Sequence, residues 1–121
     1  MTELKTITLD GIEYVRKDSQ SQQAEKLDGM EYVVVRGDRS GVFAGYMKKK
    51  EGREVTLVNC RRLWYWDGAA SLSQLAVDGV SKPSNCKFTV PATILILDAI
   101  EVLTTTEKAK KSIAGVKEWA Q

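Results

Sequence analysis

The sequence predicts an α+β fold: an antiparallel β-sheet with an amino-terminal hairpin and two short helices. Three observations predict it. Short alternating segments rich in Val, Ile, Tyr and Phe recur along the chain, turn signals such as Asp10-Gly11 separate them, and two helix-spaced segments do not alternate regularly with the strands.

The elements follow in order. TITLD and IEYVR flank Asp10-Gly11 and form the hairpin within residues 1–17, and the polar stretch 18–28 reads as a solvated linker or a short exposed helix. Residues 29–121 are the core of a single ligand-binding domain spanning 1–121. The phrase LDGIEYV at 9–15 returns as LDGMEYV at 27–33, but two copies do not make a repeat architecture. EYVVVRG, GVFAGYM and REVTLVNCRRLWYW are strands, the last two paired antiparallel through Lys50-Glu51-Gly52. Strict alternation along the longest strand places Thr56, Val58, Cys60, Arg62, Trp64 and Trp66 on one face and Val55, Leu57, Asn59, Arg61, Leu63 and Tyr65 on the other. Both faces are substantially apolar, which predicts a helix over one and a subunit or ligand over the other. Leu72, Leu75 and Ala76 then mark a short helix that Gly79 stops. TILILDAIEVLTTT reads as one strand inside the sheet, with Pro91 at or before its beginning. Thr104 and Glu107 fit a capping box for a final helix carrying Ala109, Ile113 and Val116.

Composition narrows the function. With 121 residues, 43% hydrophobic and 28% charged, the chain suits one globular domain, and no apolar run approaches the roughly 18 residues of a membrane span. MTELKTITLD has no apolar stretch behind a basic start, so cytoplasm is the expectation. Histidine is absent from the sequence, which removes the commonest general base and the usual partner of a Ser or Cys nucleophile. No phosphate-binding loop, dinucleotide fingerprint or metal-ligand spacing occurs either. The expectation is a chain with no catalytic residue, no metal and no cofactor. A net charge of +2 argues against a long nucleic acid as partner, and Lys48, Lys49 and Lys50 read as a solvated hairpin tip. Cys60 and Cys86 read as buried small apolar residues.

Three stretches could carry ligand chemistry. In 61–76, RRLWYWDGAASLSQLA combines arginine forks for phosphate with rings for stacking and a helix start; Arg62, Trp66 and Ser71 are its candidate contacts. The bland reading makes the tryptophans core residues and Asp67 the helix cap. In 36–45, RGDRSGVFAG offers arginines and closely spaced glycines whose amides could approach a ligand, or simply a hairpin loop. TTTEKAKK supplies hydroxyls and lysines, or a capped, solvated helix.

The run from Tyr32 to Ile113, with VVVRGDRSGVFAGYM, REVTLVNCRRLWYWDGAASLSQLAVDGVSKP, NCKF and TTEKAKKSI, resembles the first type of Thoeris anti-defence protein of phages. The resemblance implies a sponge in the host cytoplasm that binds cyclic ADP-ribose isomers made by TIR enzymes and does not cleave them. It also implies assembly as a dimer or hexamer, and in some members a second site for CBASS cyclic oligonucleotides. Carried over, it points to Arg36, Arg39, Ser40, Gly41 and Val42, to Thr106 and Lys110 near a subunit interface, and to Asn85 and Phe88 in the nucleotide pocket. Ser40 and Lys110 depart from the family's alanine and arginine, and lysine lacks the two-pronged grip. The rival readings are a protein-interaction module built on the tryptophans, a single-stranded nucleic-acid binder, and an enzyme acting on the nucleotide.

Overall fold

Strand 31–37 opens a sheet to which nearly every later element is attached. The computed structural model describes residues 22–121, so the expected hairpin of 1–17 and the start of the linker lie outside the described residues. The rest of the linker, 22–28, is exposed except at Ala24, but it is tied to the start of α2. Gln23 pairs with Thr106, the Ala24 amide donates to Thr105 O at 2.9 Å, and Ala24 is buried. The recurring phrase does make a turn, because Leu27 and Met30 exchange backbone hydrogen bonds around Asp28-Gly29.

The strands are β1 (Glu31–Gly37), β2 (Val42–Glu51), β3 (Glu54–Tyr65), β4 (Lys87–Phe88), β5 (Ala92–Ile96) and β6 (Ala99–Thr104), and the helices α1 (Leu72–Asp78) and α2 (Glu107–Gly115). All strand pairs are antiparallel, in the order β4-β3-β2-β1-β6, with β5 also on β3. The fold is α+β, as the alternation predicted. Ser71 caps α1 by accepting from the Gln74 amide, so Asp67 is not the cap. The cap of α2 is Thr106 rather than Thr104, and Glu107 accepts from the Glu25 amide instead of closing a box.

Two sequence expectations fail for backbone reasons. TILILDAIEVLTTT is two strands, because the chain turns at Leu97-Asp98 and carries β5 along β3 but β6 along β1. Only two residues join strands on opposite sides of the β1–β3 meander, so the sheet must curl to bring its edges together. The Ala99 amide, donating to Arg53 O at 3.0 Å, ties the start of β6 to the start of β3.

The second failure lies in β3. Leu57 pairs with Ile94 and Cys60 with Ala92, while on the other side Tyr46 pairs with Val58 and Ala44 with Arg61. One extra residue is therefore accommodated at Asn59, which adopts φ 51°. Beyond this bulge the alternation is inverted. Cys60 joins Val55 and Leu57, with Val33, Val35, Phe43 and Ile96, in the core enclosed by the curled sheet. Leu63 joins Val34, Ala44, Leu75, Phe88 and Ile113 in the core under the helices. Both faces of β3 are thus covered inside one chain as far as Leu63, while Trp64 and Tyr65 at its end are exposed. Full burial of Leu57, Phe43 or Ile113 contributes about 1.5–3 kcal/mol each.

Gly45 makes the bulge possible, since a Cβ there would lie 2.8 Å from Cys60 Cα and 3.0 Å from Val58 O. Gly45→Ala should therefore lower the unfolding free energy in urea by about 1–3 kcal/mol, as overpacking against backbone does. An unchanged midpoint would mean that β2 and β3 are not in this close contact.

Candidate ligand-binding site

At the end of the inner core, where Phe43 meets β5, the surface opens into a cleft of about 450 Å³. Arg39, Ser40 and Arg62 line it on one side and 94–97 on the other, with Asp98 at the corner. The bulge puts Arg62 here, with its guanidinium 4.7 Å from the centre of the Phe43 ring and Nη1 donating to Ser40 O at 2.9 Å. A guanidinium over a ring and tied at one nitrogen keeps its other donors free, and their planar fork suits a phosphate or carboxylate. Leu95 and Leu97, 55% and 64% exposed, supply an apolar wall.

The loop between β1 and β2 is shaped by Asp98. Its Oδ2 accepts from the amides of Arg39 (2.8 Å) and Ser40 (3.1 Å), its Oδ1 accepts from the Ser40 hydroxyl (2.5 Å), and its carbonyl accepts from the Asp38 amide. These donors, the Ser40 hydroxyl first, hold its carboxyl below the usual carboxylate range. Gly37 leaves room for the arrangement, because a Cβ would run into Ser40 Oγ and Asp98 Oδ1. The Arg39 and Ser40 amides are therefore taken by an internal carboxylate, and the Gly37 amide by Gly41 O. Contact with an anion at this cleft falls to the Arg39 and Arg62 side chains.

The other sequence candidates do not converge on the cleft. Arg36 stands on β1 with Glu101 3.9 Å away across to β6, an exposed pair worth about 0–1 kcal/mol, while Gly41 and Val42 lead into β2. Trp66 packs against the core under the helices, on the opposite face from Arg62, so the expected clamp of the two does not form. Ser71 is occupied as the cap of α1, and Thr106 both caps α2 and donates to Val77 O at 2.5 Å. Asn85 donates to Asp67 at 3.2 Å, and Phe88, fully buried beneath Arg61, is a core residue that no ligand could touch in this arrangement. Lys110 lies on the helix side, 3.5 Å from Glu107 and over the Tyr46 ring.

The cysteines divide. Cys60 is buried, which pushes its thiol up to about 12, whereas Cys86 is only half-buried, its sulfur 3.5 Å from the Asp67 amide. Sequence reasoning missed Phe43, Asp98 and the two exposed leucines. An acid interrupting ILIL and AIEVL was the available signal for the corner.

The family model for a domain of unknown function, DUF6948, matches residues 30–113, from the residue before β1 into α2. The chain belongs to the DUF6948 family. No curated protein and no solved structure matches it. The DUF6948 match spans the whole Phe43 cleft and leaves out the carboxyl-terminal segment after α2.

Asp98 stabilises the DUF6948 fold only while charged. Its folded value is depressed, so its contribution is present above the unfolded value of about 3.9 and is lost as pH falls through the lower folded value. Asp98→Asn should melt below the unmodified chain at neutral pH, with the gap closing under acid conditions in scanning fluorimetry. A gap that stays constant with pH would show that the charge is not what holds the loop.

Proposed function

We propose that this chain binds a small anionic nucleotide signal and holds it without cleaving it. The single observation that carries the reading is the Arg62 guanidinium, over the Phe43 ring in a cleft of ligand size that Arg39 and the exposed Leu95 and Leu97 also line. Phosphate and ring system are both provided for there. The absence of histidine from the sequence supports holding over chemistry. The sequence resemblance to phage Thoeris sponges supplies the ligand class, glycocyclic ADP-ribose isomers, with CBASS cyclic oligonucleotides as further ligands and the host cytoplasm as the setting. No helix among the described residues is long and apolar enough to cross a membrane.

Assembly as a dimer or hexamer belongs to the same proposal. Its support shifts from β3 to Leu95, Leu97 and Ile100, large apolar side chains exposed where β5 turns into β6. A second reading, a protein-interaction module, is favoured by one observation: Trp64, 63% exposed, stacks on Trp119 at 6.3 Å, with Lys87 over the Trp119 ring.

The test is a titration of glycocyclic ADP-ribose followed by heat denaturation. Intact signal should be recovered after heating, and Arg62→Ala should weaken binding by about 1.5–3 kcal/mol while the melting temperature changes little. Recovery of a cleaved product would make the chain an enzyme. Absence of binding to the unmodified chain, or unchanged affinity in Arg62→Ala, would overturn the assignment of the cleft.

A further inference from the structure

On the opposite face of the sheet, a second and more enclosed cleft of about 220 Å³ lies between β3 and α2. Arg61 and Lys110 supply its positive charge, Tyr32, Tyr46 and Asn59 supply further donors, and Glu118 is its one acid. Arg61 is 96% removed from solvent and forms no ion pair among the described residues. Of its five N–H donors, Nε is taken by Thr89 O, one at Nη1 by Ile113 O and one at Nη2 by Phe88 O. Two remain. Tyr32 is 4% exposed, and its hydroxyl has no hydrogen-bond partner among the described residues. A buried cation whose side-chain hydrogen bonds all go to carbonyls, with Glu118 the one carboxylate acting on it, lies next to a buried hydroxyl that has no partner among the described residues, and an anion would complete that arrangement.

We propose that this cleft binds a small tetrahedral oxyanion, phosphate itself or the phosphate end of a small ester, between Arg61 and Lys110. The volume decides against a whole nucleotide, since sites for drug-sized ligands start at about 300 Å³. The donor set decides for phosphate, whose several oxygens can use a guanidinium edge, an ammonium and phenol hydroxyls together. Burial pushes the Lys110 ammonium down, but the Tyr46 hydroxyl and Glu107 outweigh it, so the lysine stays charged at neutral pH. The site stands apart from the Phe43 cleft, because consecutive arginines on a strand point to opposite faces.

Calorimetry with inorganic phosphate tests it. The unmodified chain should bind, Lys110→Gln should weaken binding about tenfold or more, and Tyr46→Phe should weaken it by a smaller factor, both at an unchanged melting temperature. Glu54→Gln, on β3 but outside both clefts, should leave phosphate affinity where it was. Lys110 and Tyr46 are the chosen positions because Arg61 also ties three carbonyls together, and its loss could unfold the chain. No binding to the unmodified chain, or no effect of Lys110→Gln, would each overturn the second site. Loss of glycocyclic ADP-ribose binding in Arg62→Ala together with retained phosphate binding would separate the two clefts.

Discussion

The extra residue at Asn59, seated against Gly45, is the constraint on which the rest of the structure depends. Before it, β3 sends Val55 and Leu57 into the core enclosed by the curled sheet. A regular strand would then have sent Asn59, Arg61 and Leu63 to the same side. The bulge inverts that order and sends Cys60 inward instead, with Arg62 after it at the mouth of the same core. Leu63 goes under the helices, and Arg61 goes with it.

The two arginines then have different physical lives. Arg61 loses most of its hydration, and its carbonyl partners replace water only in part, which is why burial lowers its tendency to stay charged. Its hydrogen bonds to Thr89, Phe88 and Ile113 tie the strand to the β4 region and to α2. The Arg62 side chain makes one described hydrogen bond and one ring contact, enough to hold it at the cleft while most of its donors stay available. The proposed ligand site follows from that difference, and so does the contrast between a roomy apolar cleft on one face and a small, donor-rich one on the other.

Much of the fold was legible. Lys50-Glu51-Gly52 pairs β2 with β3 because a short turn between alternating segments leaves little choice, and α1 begins after Ser71 and stops at Gly79 as its caps require. The bulge was not legible, since Asn59 lies between Val58 and Cys60 with no turn residue beside it, and only the cross-strand contact with Gly45 makes the left-handed backbone worthwhile. Asp98 was misread for a related reason. Asp98 is the one break in the apolar run LILDAI, and a single acid fits a solvent-facing strand position as well as a corner until the loop amides that bind it are in place. Of the site residues, Arg39, Ser40 and Arg62 lie at one cleft, although the sequence had placed Arg62 with Trp66 and Ser71 in a separate candidate stretch. Ser71, Thr106 and Phe88 do not, because residues suited to binding anions or stacking are equally suited to capping helices and filling cores.

The most direct test of this account is the urea unfolding free energy of Asn59→Gly against Asn59→Val. On a regular, half-exposed strand position valine is the better residue and glycine the worse. At a position held at φ 51° the order reverses, because a β-branched side chain is strained there and glycine is not. The account predicts that Asn59→Gly is the more stable of the two by roughly 1–2 kcal/mol. A more stable Asn59→Val would mean that β3 runs straight through residue 59, and the assignment of Arg61 and Arg62 to their separate clefts would fall with it.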